Sequence, residues 1–185
     1  MNKLTKITFI AMLAIGLLSF AKAGKWFQFE SSEFGFKIEF PKEPTSNPQV
    51  INSAIGELKM NMFMYHASSN GKDDNLVYLA NYTEYPDSLV NSENTETLPT
   101  FFRNSIDGAV TNVHGKLLSE KNIAIDEYPG REVRIDFQQG KAVITMRIFL
   151  VKNKMYMLQT ITATNKDFNK SITQFMDSFK LLTQE

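Results

Sequence analysis

The sequence predicts an α+β fold in which two main helices pack on the faces of a central antiparallel sheet. Three observations predict it. Short runs of alternating apolar and polar residues, bounded by Gly, Pro and Asn, recur along most of the chain. Just two runs, one from Leu98 and one from about Asn165, carry apolar residues at helical spacing. Two of the strand-like runs are apolar on both faces, which puts them centrally, covered above and below.

The chain opens with MNKLTKITFIAMLAIGLLSFAKA. Lys3 and Lys6 precede an apolar run from Ile7 to about Phe20, and the segment ends in the small-x-small triplet Ala21, Lys22, Ala23. This is the form of a secretory signal peptide over residues 1–23, leaving residues 24–185 as a single domain. The run is shorter than the roughly 20 residues of a spanning helix, so a retained anchor is the minor reading. Basic and acidic residues balance at 20 each, and loss of the leader with its three lysines turns the mature chain to −3. That balance points away from nucleic acid and anionic lipid as main partners. The chain contains no cysteine, so an exported domain has no disulfide framework and no lipid-anchor position, and its stability rests on a hydrophobic core. The expected location is periplasmic or secreted, with no stable membrane insertion after leader cleavage.

WFQFE (Trp26 to Glu30) and FKIEF (Phe36 to Phe40) read as strands joined by SSEFG, the second stopped by Pro41 and Pro44. A strand around Val50 and a long one from Glu57 to Ala67 follow. The loop SSNGKDDN then leads into LVYLANYTEY, making a hairpin. PDSLVNSENTE has the composition of an exposed loop. The first helix starts at Leu98 or Pro99, and Phe101, Phe102, Ile106, Ala109, Val110 and Val113 form its stripe. From Lys116 a four-strand meander runs through KLLSEKNIAI, REVRIDF, KAVITMRIFLV and KMYMLQTITAT, the last two apolar on both faces. Asn165 is placed to cap a second helix with stripe Phe168, Ile172, Phe175, Met176 and Phe179.

Taken in order, GFKIEFPKEP, YPGREVRIDF, the RIFLVKNKMYML hairpin and the closing MDSFKLL resemble the PsbP and Mog1-like superfamily, above all its small exported bacterial members of unassigned activity. The resemblance implies an α/β/α sandwich around a central antiparallel sheet of about six strands, and little chemistry. Plant members are accessory proteins of photosystem II, Mog1 binds a small nuclear GTPase, and none of their partner-binding residues matches a position here.

The sharpest chemical candidate is the stretch MNMFMYH. Period 2 puts Met60, Met62, Met64 and His66 on one strand face, with Leu58 before them. Thioether and imidazole ligands together suit Cu(I). Methionine is equally a routine filler of irregular core gaps, and a half-buried strand needs such a face in any case. Met155 and Met157 lie on another predicted strand.

In YPGREVRIDF, Arg131 and Arg134 flank the region of a turn and could grip an anion. The plainer reading makes Pro129 and Gly130 the turn, points Val133, Ile135 and Phe137 inward, and pairs Arg134 with neighbouring acids. His114 stands apart from His66 with no zinc-like spacing, and Asp73, Asp74 and Asn75 lack the pattern of a calcium loop. No GxSxG, SxxK with partners or phosphate-binding glycine loop occurs. The sequence thus names no catalytic residue and no cofactor. The leading expectation is a non-catalytic extracytoplasmic protein-binding or assembly-accessory domain, contacting another extracytoplasmic protein through the Pro86 to Glu96 loop and an exposed sheet edge. The alternative is a periplasmic small-molecule or soft-metal carrier using the Met60 to His66 face; a hydrolase with dispersed carboxylates is third.

Overall fold

The computed structural model describes residues 25–53, 56–68 and 71–182, so the leader read in residues 1–23 lies outside the described residues. In chain order the elements are β1 (Phe27–Ser31), β2 (Phe36–Phe40), β3 (Thr45–Ser53), β4 (Gly56–His66), β5 (Asn75–Glu84), α1 (Leu98–Asn112), β6 (Lys116–Ile125), β7 (Tyr128–Phe137), β8 (Ala142–Val151), β9 (Lys154–Ala163), α2 (Lys170–Asp177) and β10 (Lys180–Leu181). Seven strands pair in the order β3-β4-β5-β9-β8-β7-β6, every pair antiparallel. The remaining three form a small sheet, β1-β2-β10.

The fold class is the one the sequence predicts, with a strand count that differs from the about six the resemblance implies: seven in the main sheet and three beside it. The difference has a physical source. The β1–β2 hairpin is amphipathic, with Phe36, Ile38 and Phe40 all buried. It therefore lies across the main sheet instead of extending it, seating Phe29 with its ring centre 4.4 Å from that of Phe63.

Two cores result, one on each face of the main sheet. On the first, α2 and the small sheet cover Phe63, Tyr78, Tyr82, Phe149 and Tyr156, an aromatic layer in which Phe175 and Phe179 also sit. On the second, α1 inserts Phe102 and Ile106 among Val133, Ile135, Ile144, Met146, Ile148 and Leu150. β8 and β9 occupy the middle of the sheet, as their two apolar faces require. Alternation along β8 decides which residue serves which core: Phe149 faces one, Ile148 and Leu150 the other.

Three local expectations are corrected. Asn165 falls in a 3₁₀ turn, Thr164–Lys166, and the helix cap is Asn169, whose side chain accepts from the Ile172 amide at 3.0 Å. Phe168 consequently leaves the helical stripe: it has φ 60° and is 77% exposed. Pro129 and Gly130 do not turn the chain but belong to β7, paired with Ala124 and Ile123. The reversal occurs at Asp126 and Glu127, with Asp126 in the left-handed region at φ 50°. After α2, Lys180 and Leu181 add the short strand β10 to β2.

Candidate functional site

Met60, Met62, Met64 and His66 share the α1-side face of β4, and the register shows what stands beside them. β5 lies between β4 and β9. Met60 and Met155 both oppose Thr83, and Met62 and Met157 both oppose Asn81. Met64 is opposite Leu79 and His66 opposite Val77. The strand order thus brings Met155 and Met157 to the same face as the β4 methionines, two strands away. Sequence reading could see both groups but not their adjacency, because neither strand encodes its partner.

The β4 series is a row, not a ring. Met60 and His66 are six positions apart, about 20 Å along an extended strand, so they cannot hold one ion together. Across the strands the spacing is shorter. Strands two apart are about 10 Å from each other, a gap two inward-leaning methionine side chains can close. The methionines of both strands are half-buried, while Asn81 and Thr83 between them are 2% and 1% exposed. Among the described residues Asn81 Oδ1 and Thr83 Oγ1 have no hydrogen-bond partner, although a buried polar atom left so costs about 1–3 kcal/mol. The Tyr85 hydroxyl donates to Met155 Sδ at 3.8 Å, and the Tyr85 ring packs on Phe101 of α1.

The arginines of β7 are engaged in ion pairs. Arg131 pairs with Glu120 and stacks over Phe102, 4.5 Å from the ring centre. Arg134 pairs with Asp167 and lies under the Phe168 ring at 4.0 Å. Glu132 accepts from Lys121 and Arg147, and Arg147 also reaches Asp177. Burial alone would raise the Glu132 carboxyl, but Lys121 and Arg147 outweigh it and hold the group below its usual value. This arrangement favours the plain structural reading of YPGREVRIDF over an anion grip.

Asp73 and Asn75, from the SSNGKDDN loop of the sequence, take part in a largely buried network. Asn75 Nδ2 donates to the Tyr78 hydroxyl at 2.7 Å, which donates to Asp73 Oδ1 at 2.8 Å. Asn75 Oδ1 accepts from Thr162 and from Asn169, tying β5, β9 and the cap of α2 together. Burial and the Asp73 carboxylate push the Tyr78 hydroxyl far above its usual range, despite the opposing Asn75 bond. His114, at φ 50°, follows the end of α1 with its Nδ1 3.0 Å from the Thr111 carbonyl oxygen.

No family model and no curated protein matches the sequence. Among solved structures the chain is similar to cyanobacterial PsbP (CyanoP) from Synechocystis sp. PCC 6803, with TM-score 0.48 and 12% identity over 90% of this chain and 98% of that one. It is also similar to PA94, a protein of unknown function from Pseudomonas aeruginosa, with TM-score 0.36 and 11% identity over 88% of this chain and 99% of that one. Neither likeness assigns a residue or an activity here.

Proposed function

We propose that this chain is a non-catalytic protein-binding or assembly-accessory domain acting outside the cytoplasm, its location resting on the leader read in the sequence. The observation that carries the proposal is the open outer strand β6, ten residues long at the margin of the seven-stranded sheet. Such an edge offers backbone donors and acceptors to an added strand. Leu118 stands on it 47% exposed, at a bulge between Leu117 and Ser119. The opposite margin, β3, is less suited because Pro48 removes a backbone donor.

The Pro86 to Glu96 loop supports the same reading by its rigidity. Ser92 bonds Lys152 twice, through its amide and its hydroxyl, and Asn91 caps its own loop by accepting from the Glu93 amide. Held in this way, the loop presents Leu89 54% exposed. Binding to such a pre-ordered surface costs less conformational entropy.

Photo-crosslinkers at Leu118 and Asn122, introduced into the protein in its own compartment, test this. The expected result is one protein captured from both positions and lost in Leu118→Lys. Absence of any protein adduct from either position overturns it.

A further inference from the structure

The geometry points to a binding site for a soft monovalent metal ion, Cu(I) in chemical class, formed across strands by Met62 and Met157 over Asn81, with Met60 and Met155 over Thr83 as a second pair. This goes beyond the edge-binding reading and does not depend on it. Two independent observations meet here. The register places thioether ligands from β4 and β9 on either side of β5, facing the same way. Beneath them Asn81 Oδ1 and Thr83 Oγ1 are buried and unpartnered.

The donor set selects the ion. Thioethers are soft and uncharged, and they favour Cu(I) over hard divalent ions that require carboxylates. Among the described residues no group of three His, Cys, Asp or Glu is placed to hold a metal. The rows through Asn81 and Thr83 contain neutral residues on β4, β5, β9 and β8. Along the Met62 row the first charged residue is Arg131, next to Ile148 on β7. Met155 gives one sulfur lone pair to the Tyr85 hydroxyl and retains the other for a metal.

Replacing methionine by leucine conserves volume and costs under about 1.5 kcal/mol, so the fold survives the test. The protein produced from the full chain is titrated with Cu(I) under anaerobic reducing conditions, in competition with a chromophoric Cu(I) chelator. Met62→Leu/Met157→Leu is expected to weaken binding by about 100-fold or more, and Met64→Leu to leave it nearly unchanged. Because thioethers do not titrate, affinity should stay level between about pH 5 and 7, where a histidine ligand would lose it. No binding by the native chain overturns the inference. Binding that survives the double substitution but is lost when Met60→Leu/Met155→Leu is added supports the second pair; binding that survives all four substitutions, or that falls with imidazole protonation, overturns the inference.

Discussion

Gly130 of β7 lies so close to Phe149 of β8 that a β-carbon there would stand 2.6 Å from Phe149 Cδ1 and 2.7 Å from the Ile148 carbonyl oxygen. The two residues are direct partners in the sheet, and the Phe149 ring occupies the space a side chain would need. It stacks in turn on Phe179 at 5.8 Å, interplanar angle 4°. Gly130→Ala must therefore displace a backbone strand or an aromatic in the main core. We expect a loss of about 1–3 kcal/mol, the usual range for overpacking, against almost none for Gly108→Ala, whose added carbon meets open space. Paired thermal melts decide it: equal midpoints for the two variants would refute the packing account.

Glu132 gives a prediction at acid pH. Its folded-state value lies below the ordinary 4.5, because Lys121 and Arg147 outweigh the burial that would raise it. A depressed carboxylate contributes stability above its unfolded value and loses that contribution as pH falls through the folded one. Glu132→Gln should thus melt lower than the native chain at pH 7, with the difference shrinking below about pH 4.5. Melting curves taken across that window check the sign; a gap that widened in acid would contradict it.

Tyr156 provides the alkaline counterpart. Burial, assisted by Glu84, pushes its hydroxyl from 10.0 up to about 12. The folded state then holds a proton the unfolded chain has released, so stability falls as pH rises above about 10 and continues to fall through about 12. The same hydroxyl donates to the Phe34 carbonyl at 2.8 Å. Tyr156→Phe should cost about 1 kcal/mol near neutrality and lose less stability than the native chain under alkaline conditions. Denaturant titrations at neutral and high pH measure both effects.

Asn169 serves two roles, capping α2 through Ile172 and donating to buried Asn75 at 2.9 Å. Asn169→Ala should cost about 1 kcal/mol for the cap, more with the bond to Asn75, lowering the melting midpoint by at least about 2–4 °C. Asn169→Asp preserves the cap acceptor but removes the donor to Asn75. It should fall between the native chain and the alanine variant, and ranking the three midpoints separates the contributions.

What could be read in advance followed from local chemistry. The β6 to β9 meander, the central placement of β8 and β9 and the start of α1 at Leu98 all follow from periodicity, turn residues and a first-turn proline. The error at the second helix was also local: Asn165 and Asn169 are both good cap residues, and burial of Ile172 and Phe175 against the main sheet selects the later one. Pro129 and Gly130 resemble a turn, but Gly130 is required by Phe149, a residue nineteen positions away.

The candidate site divides along the same line. Alternation alone put Met60, Met62, Met64 and His66 on one face, since side chains in any strand repeat every second residue. Only strand order decided that β5 separates β4 from β9, bringing Met157 opposite Asn81 and Met155 opposite Thr83. Pairing between distant strands depends on which faces must be buried together, and that free energy belongs to the whole sheet. The sequence by itself determined most elements and their apolar faces, because both follow from local periodicity; tertiary packing decided that the β1–β2 hairpin lies across the sheet and which methionines flank β5.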